Sequence, residues 1–560
     1  MILVDLIAFI LVIGIIILVH EAGHFFTARK SGVKCNEFSI GMGPIIKQWK
    51  KGETTISLRW IPLGGYVSMV DGNESDMYID LNKELGLNLD ESGNVYEIVC
   101  VSKVKSDVIG ICKRKELKSI HGEPLEIDLE IDGEIKTYPV LENASYVLGP
   151  SDKQELVSYD KSFDSKKIWK RLIILVAGAV MNFILGLLLC IIAAFIQGVP
   201  NYDSSVVGTI EETYPAYKEG LRSGDKILGF EAQVNGETKE YSVSSWTEVS
   251  STLSSIYKED SYPTIKIKYS RDGVESYTNS FNPYVYIYNI GITNDGAENY
   301  PNTSGIEGIV VGTISINYES GSGTELKEGD LITQMRINVW NGKEYVDGTY
   351  EDVSSWKDII EKIKDIDSAR ISFKFLQRNE ENGVVAYSDT KETNLITAYS
   401  EEVLKAQNVS KYSYMMGISP AYHFEFAGCM SNAFGQCGSY FSLVVRTLKV
   451  LIAPSNGART VGLKNMSSVV GIFDMVSRYL TAGPATFLFF VAMLSINIGL
   501  MNLLPIPALD GGRIVFVLYE AITGRKPNKK VETILTLIVY ALLIILFIYV
   551  TSNDIRRLIK

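Results

Sequence analysis

The chain has 560 residues, of which 46% are hydrophobic and 21% charged, and its formal net charge is −11. This balance is typical of a membrane protein with several structural units. It excludes a mainly disordered chain, and the negative charge argues against nucleic acid as a partner because phosphate binding requires a basic face. Six scattered cysteines without a Cys-x-x-Cys pair exclude a disulfide scaffold and a thiolate zinc site, so a metal here would need nitrogen and oxygen ligands.

Four apolar runs are long enough to predict transmembrane helices, which need about 20 residues each. They are Ile2–Val19, Leu172–Ile196, Ala485–Leu504 and Val531–Val550. The first run has no basic segment before it and no small-residue cleavage site after it, which favours a retained span over a signal peptide.

Basic residues near the span ends predict the orientation, since lysine and arginine hold loops on the cytosolic side. They follow the first span, precede the second and lie between the third and fourth: Arg29, Lys30, Lys34, Lys166, Lys167, Lys170, Arg171, Arg525, Lys526, Lys529 and Lys530. We therefore expect both termini and residues 198–480 to face outward, although Arg556, Arg557 and Lys560 in the tail favour the opposite orientation.

The first span ends in the H-E-x-x-H motif His20-Glu21-Ala22-Gly23-His24. Residues four apart share one face of a helix, so His20 and His24 can bind one Zn²⁺ while Glu21 lies beside the metal's water. Because the chain has only 4 histidines, about 0.002 matches are expected by chance, and this disfavours the alternative of a helix end with two polar histidines.

Residues 37–70 predict a β-hairpin, with a β-rich stretch at Thr54–Ile61. Gly41, Gly43, Gly64 and Gly65 would permit close approach of another backbone. An edge strand here could pair with an unwound substrate segment; the alternative is an ordinary cytosolic hairpin.

A β-rich insert is predicted for residues 71–162, from the stretches Tyr96–Val101, Leu125–Ile131 and Glu134–Val140. Cys100, Cys112 and His121 could form a second metal site. A structural role for reduced cysteines is favoured, because the spacing of a zinc site and a fourth ligand are both missing.

The outward segment contains a repeat of about 105 residues. Val207-Gly-Thr-Ile, Gly224-Asp225 and Trp246 recur as Val311-Gly-Thr-Ile, Gly329-Asp330 and Trp356, and each copy continues into a helical pattern and a final strand. Beyond the repeat, an apolar face with Arg446 and Lys449 at Gly438–Ala453 predicts a helix at the outer membrane interface. A disulfide between Cys429 and Cys437 is left open.

A catalytic zinc site needs a third protein ligand besides water. His121 lies in the predicted insert and His423 in the outward segment, so neither is expected at the depth of His20. The third span ends in Asn502-Leu-Leu-Pro505-Ile-Pro507-Ala-Leu-Asp510, where prolines break the helix and a carboxylate stands at membrane depth. We predict Asp510 as the third ligand; the alternative makes it the N-cap of the following helix.

These motifs together resemble the site-2 protease family of intramembrane zinc metalloproteases, in particular its bacterial regulator-of-sigma-E protease branch. The resemblance extends through Gly41–Pro44, Leu63–Val67, Trp169–Asn182, Leu494–Gly512 and Asn553–Asp554. The repeat resembles tandem PDZ domains, which bind chain ends or extended peptides along a sheet edge and, in this branch, limit access by bulky substrates.

The resemblance implies Zn²⁺ as cofactor, His20, His24 and Asp510 as its ligands and Glu21 as catalytic acid/base. It also implies that the hairpin binds substrate as an extended strand. Asn182, Asn502, Pro505 and Pro507 match family positions near the substrate or the metal, although each asparagine could equally tie two helices together.

The fold class we expect is a multi-domain polytopic α-helical membrane protein with about four transmembrane helices, a membrane-associated β-hairpin, a β-rich cytosolic insert and two extracytoplasmic PDZ-like α+β domains. The predicted ranges are 1–36 for the first span, 37–70 hairpin, 71–162 insert, 163–198 second span, 199–285 and 286–400 PDZ-like domains, 401–483 linker and interfacial helix, 484–524 third span, and 525–560 fourth span and tail.

The function we expect is hydrolysis of peptide bonds in transmembrane segments of single-span membrane proteins at the cytoplasmic membrane, with the active site near the cytosolic face. The resemblance implies anti-sigma factors and remnant signal peptides as substrates, cut after their outer part is shed. The main alternative is a membrane-anchored PDZ scaffold with a structural metal site, which Glu21 disfavours because a structural site needs no base. A metal transporter would need ionisable residues along several spans.

Overall fold

The computed structural model describes residues 2–559 except 71–77, 102–104, 118–123, 150–151, 158, 303, 315–325, 382–383 and 453–468. His121 lies outside the described residues. The chain divides into two compact units. We call Met1–Cys190 with Ser467–Lys560 the helical unit and Ile191–Met466 the repeat unit.

The helical unit begins with helix α1, Ile2–Lys30. Its apolar sequence continues past the predicted span into the H-E-x-x-H motif without a helix breaker, so both histidines stand on regular helix. Gly32, with φ of 79°, ends the helix, and the Val33 N–H donates to the Ala28 carbonyl, which together form a left-handed cap that glycine accepts without strain.

A hairpin of two long strands follows, β1 (Cys35–Lys51) and β2 (Thr54–Met69). The hairpin folds back on itself: residues 35–40 pair with residues 65–69 on one side and with residues 55–58 on the other, while residues 45–51 pair with residues 54–59. The bend requires Gly41, whose φ is 87° and where a Cβ would lie 2.7 Å from the Ile61 carbonyl oxygen.

The insert is a small barrel of antiparallel strands closed by one parallel pair. Its strands are β3 (Glu84–Leu89), β4 (Val95–Val99), β5 (Val108–Glu116), β6 (Glu126–Ile131), β7 (Glu134–Gly149) and β8 (Asp152–Glu155). They follow the order β4-β3-β5-β6-β7-β8, and β4 also pairs in parallel with β7. Leu87, Ile98, Leu129 and Tyr146 fill the core, which also contains Cys112. Burial in this core raises the pKa of the Cys112 thiol, as expected for a structural cysteine.

Helix α2, Ile168–Gln197, leads into the repeat unit. Copy 1 of the repeat contains β9 (Val199–Pro200), β10 (Val207–Ile210), α3 (Pro215–Lys218), β11 (Lys226–Val234), β12 (Glu237–Ser242), α4 (Trp246–Glu259), β13 (Thr264–Arg271) and β14 (Val274–Tyr277).

Copy 2 has the same order of strands, helix and strands from its Gly-Asp motif onward, with a longer connection in front. It contains β15 (Tyr284–Ile287), β16 (Ile292–Thr293), β17 (Ile309–Val310), β18 (Leu331–Trp340), β19 (Tyr345–Val346), β20 (Tyr350–Asp352), α5 (Trp356–Ile363), β21 (Ala369–Glu381), β22 (Val384–Glu392) and β23 (Ile396–Thr397).

The chain then returns to copy 1. After α6 (Glu401–Ala406) come β24 (Tyr412–Met415), β25 (Ile418–Pro420) and β26 (Tyr422–His423). β25 pairs with β10 and β26 with β9, and Met416 lies in the hydrophobic core of copy 1. Copy 2 is therefore nested between two parts of copy 1, an arrangement that the contiguous ranges 199–285 and 286–400 leave out.

The described residues after β26 form five helices: α7 (Phe426–Ile452), α8 (Val469–Thr481), α9 (Pro484–Asn502), α10 (Asp510–Thr523) and α11 (Lys529–Ile559). Cys429 and Cys437 stand on α7 with free thiols. Eight residues of helix span about 12 Å, too far for a disulfide. The predicted third span, 484–524, is two helices, because Pro505 and Pro507 interrupt it.

Four helices of the described chain are long and apolar enough to cross a membrane. They are Leu3–Lys30, Ile168–Gln197, Pro484–Asn502 and Lys530–Ser552. Their number agrees with the four predicted spans, and together with the strands they give a polytopic membrane protein of mixed α and β structure.

Candidate metal centre

Three potential ligands from distant parts of the chain meet inside the helical unit. His20 and His24 lie one turn apart on α1 and are buried, with their Nε2 atoms 3.2 Å apart. The Oδ2 atom of Asp510 lies 3.0 Å from Nε2 of His20 and 3.1 Å from Nε2 of His24. Among the described residues, this is the one group of three or more such side chains with converging donor atoms.

The donor set fits Zn²⁺. Two imidazole nitrogens and a carboxylate oxygen are ligands that zinc prefers, and three protein ligands leave the fourth tetrahedral position for water or substrate. The arrangement is therefore that of a catalytic rather than a closed structural site.

The second nitrogen of each imidazole is also placed. Nδ1 of His24 lies 2.8 Å from the Ile174 carbonyl oxygen, to which it can donate, leaving the Nε2 lone pair for a metal. Nδ1 of His20 lies 3.3 Å from the side-chain amide of the fully buried Asn182. The Asn182 amide oxygen has no hydrogen-bond partner among the described atoms. Rotating this amide by 180° would let the oxygen accept the His20 Nδ1–H.

The histidines pack against a glycine that the sequence analysis did not single out. A Cβ at Gly178 on α2 would lie 2.3 Å from Nε2 of His24 and 2.8 Å from Nε2 of His20. On the facing side, a Cβ at Gly23 would lie 2.5 Å from the Ala177 carbonyl oxygen. Small residues thus let α1 and α2 approach closely enough for the imidazoles to fit.

Asp510 reaches the histidines because the chain bends between α9 and α10. Pro505 and Pro507 lie in this bend, and Ala508 has the positive φ of 95°. Asp510 is the first helical residue of α10, and the N-cap is Leu509, which makes no side-chain cap. The alternative interpretation of Asp510 as an N-cap is therefore wrong.

Two further contacts support the centre, one to His20 itself and one between two of the helices that carry it. The Asn502 amide nitrogen lies 3.3 Å from Nε2 of His20. The buried Arg171 at the start of α2 donates to Glu520 of α10 at 2.9 Å, which ties the helix that begins at Asp510 to α2.

Glu21 faces the end of β2. Its carboxylate lies beside the Val67 backbone N–H. A Cβ at Gly65 would come within 3.5 Å of the Glu21 side chain. The other predicted glycines, Gly41, Gly43 and Gly64, lie where the hairpin folds back and contact Ile61 or Met42 instead of the metal ligands.

Comparison with known proteins identifies the class. The family model described as peptidase family M50 matches residues 8–546. The chain therefore belongs to peptidase family M50, as the resemblance to the site-2 proteases predicted, and it is a zinc metalloprotease with zinc as its cofactor.

Similar proteins come from several bacteria. Zinc metalloprotease RasP of Shouchella clausii is 27% identical over 553 residues, which cover 99% of both chains. A protein of the same name from Oceanobacillus iheyensis is 26% identical, and so is a putative zinc metalloprotease of Staphylococcus aureus, each again with 99% of both chains covered.

Proposed function

We propose that this zinc metalloprotease cuts peptide bonds within transmembrane segments of single-span membrane proteins. Anti-sigma-factor-like proteins and remnant signal peptides are the substrate classes. The observation that carries the proposal is the convergence of His20 and His24, on the membrane-length helix α1, with Asp510 at the start of α10, beside Glu21.

In this proposal His20, His24 and Asp510 hold Zn²⁺. A bound Zn²⁺ supplies Lewis acidity toward a peptide carbonyl and a water molecule. The hydrogen bond from His24 to the Ile174 carbonyl holds one imidazole in the tautomer that presents Nε2, and Asn182 does the same for His20 once its amide is rotated so that the oxygen accepts from Nδ1.

Glu21 is the general acid/base. It takes a proton from the attacking water and later delivers one to the leaving amine. The Val67 N–H orients its carboxylate, so the base is held by the same strand that borders the reaction site.

Residues 64–69 of β2 are the proposed substrate-binding edge. In the described chain they pair with another strand on one side only, through residues 35–40. A peptide bond in a transmembrane helix is protected by its own helical hydrogen bonds, so a substrate must unwind and find new backbone partners. An edge strand next to Glu21 offers these partners by β-augmentation.

The remaining predicted substrate residues divide into two groups. Asn182 and Asn502 lie at His20, where each can orient the imidazole or bind a substrate carbonyl. Pro505 and Pro507 act through the bend that brings Asp510 to the centre. Gly41, Gly43 and Gly64 shape the hairpin, and Gly65 leaves room beside Glu21.

We further propose the predicted orientation in the cytoplasmic membrane, with the metal centre near the cytosolic face and the repeat unit outside. The two copies are PDZ-like in this proposal. Their recurrent order of strands and helix, and the partly exposed edges of short strands such as β25, would suit extended peptide ligands.

A PDZ scaffold with a structural metal site is the competing function. Two observations disfavour it. The three converging donors are a set that catalytic zinc sites use, and the carboxylate of Glu21, which a hydrolytic site needs as a base, lies beside them.

The test is cleavage of a reporter with one transmembrane helix and a clipped ectodomain, in membranes containing zinc. Wild type should cut within the helix and a chelator should stop it, while Glu21→Gln should bind zinc without cutting. Glu91→Gln, a change of an exposed glutamate in the insert, should behave as wild type. If wild type and Glu21→Gln bind zinc but leave several such reporters intact, the scaffold becomes the better account.

A further inference from the structure

We infer that Arg59 is a positioning residue that holds the edge segment, residues 64–69, beside Glu21 for substrate binding. This inference rests on the proposed function. Arg59 contacts none of the metal ligands; it acts through the fold of the hairpin.

The guanidinium of Arg59 joins four separate stretches of the hairpin. Nη2 donates to Oε1 of Glu37 at 2.8 Å and to the Tyr66 hydroxyl at 2.9 Å. Nη1 donates to the Gly43 carbonyl oxygen at 2.8 Å. The Tyr66 hydroxyl in turn donates to Oε2 of Glu37 at 2.6 Å, which closes the network.

These partners come from the segments that fold back on one another. Glu37 belongs to the inner strand, Gly43 to the bend, Arg59 to the strand on the far side of Glu37, and Tyr66 to the edge segment. One side chain therefore fixes the distance and register between the two halves of β2. Lysine could not replace it, because a single ammonium cannot reproduce the planar fork of donors.

The charged side chains of this network are largely shielded from solvent, which strengthens their hydrogen bonds. The side chains of Arg59 and Glu37 are only 18% and 19% exposed. Burial raises the pKa of Glu37, but the nearby Ser57 hydroxyl and the hydrogen bonds from Tyr66 and Arg59 outweigh this effect and hold the pKa below its ordinary value. Both charges are therefore retained, and charge-assisted hydrogen bonds are about twice as strong as neutral ones.

The connection to the reaction site is the position of Tyr66 in the edge segment. Gly65 borders the Glu21 side chain, and the Val67 backbone N–H lies beside the Glu21 carboxylate. Side chains alternate along a strand, so the side chain of Tyr66, between Gly65 and Val67, points to the opposite face. On that face, hydrogen bonds with Arg59 and Glu37 hold the Tyr66 hydroxyl. Release of Tyr66 would let the edge segment shift relative to Glu21 and to a substrate paired with it.

The test compares wild type with Arg59→Gln, Arg59→Lys and Tyr66→Phe in the reporter assay. Rates are normalised to bound zinc, and cut positions are mapped by mass spectrometry. Arg114→Gln is the matched control, since Arg114 is likewise an ion-paired arginine between strands, bound to Glu126 and Asp128, but lies in the insert. We expect Arg59→Gln to lower the zinc-normalised kcat/KM at least 10-fold and to spread cleavage over neighbouring bonds. Arg59→Lys and Tyr66→Phe should shift in the same direction, and the control should match wild type.

A merely structural role would lower the amount of folded enzyme but leave the rate per bound zinc and the cut position unchanged, and this result would overturn the inference. If Arg59→Gln does not fold, Tyr66→Phe decides, because it removes a single hydroxyl. If wild type itself cuts no reporter, the proposed function fails; if wild type cuts one bond and the variants cut it equally well, only the role of Arg59 is refuted.

Discussion

The metal centre and the repeat unit differ in the kind of side chain that is buried in each. Around the metal centre, polar side chains are buried against backbone so tightly that even a methyl group at Gly178 has no room. In the repeat unit, each copy has an ordinary hydrophobic core around a buried tryptophan and β-branched strands. This contrast predicts that small changes at the centre remove function, whereas comparable changes in the repeat unit alter local stability.

The largest effect is expected for Gly178→Ala. The added methyl group would overlap Nε2 of His24, so the imidazoles must move away from Asp510. Loss of a group that merely supports a ligand costs about 10–100-fold in metal affinity, and a direct clash should exceed the upper end of this range. Zinc content after dialysis against a graded chelator and reporter cleavage would measure it.

Gly435→Ala is the matched control. Gly435 is also a helical glycine, but a Cβ there meets no atom within 4 Å. It should keep full zinc and activity, and alanine's higher helix propensity should stabilise α7 by up to about 1 kcal/mol. Equal zinc binding by the two variants would contradict the close packing described for the centre.

The sequence predicted the metal centre better than it predicted its surroundings. His20 and His24 lie within one helix, so their spacing alone fixes their shared face, and the bend at Pro505 and Pro507 signalled that Asp510 could leave the helix axis. Gly178 gave no such signal, because its role depends on the approach of α1 and α2, and a glycine in an apolar run has no pattern of its own.

The repeat shows a similar limit. The matching motifs at Trp246 and Trp356 predicted that a helical pattern follows in each copy, and α4 and α5 begin at these residues. The nesting of copy 2 within copy 1 was missed, because the returning strand β25 has only three residues and pairs with a partner about two hundred positions earlier. Local periodicity does not encode a pairing over such a distance.

A smaller effect is expected for Met416→Ala, which tests the nesting. Met416 follows copy 2 in the chain yet lies in the core of copy 1. Removing its side chain should destabilise copy 1 by about 2 kcal/mol, near the low end for a buried methionine because 7% of the residue remains exposed. Hydrogen exchange should accelerate in β10, β11 and α4, while bound zinc stays unchanged.

Met335→Ala provides the comparison, since Met335 is buried in the core of copy 2. Its effect should appear first in β18, β21 and α5. If Met416→Ala instead loosened copy 2 and left copy 1 protected, the assignment of residues 416–423 to copy 1 would be wrong.

The smallest effect is expected for Ser477→Ala. Ser477 lies on α8 and contacts the N-terminal end of α1, far from His20. The Ser477 hydroxyl donates to Oδ2 of Asp5 at 3.0 Å, and Asp5 is 8% exposed. The variant should lose about 1.5 kcal/mol, the low end for a hydrogen bond to a charged group. Thr481→Ala is the control, since its hydroxyl bonds only within its own helix. Ser477→Ala should speed exchange at the α1–α8 contact and leave zinc binding and cleavage intact. Loss of zinc in this variant would mean that tight coupling is not confined to the metal centre but extends along the whole of α1.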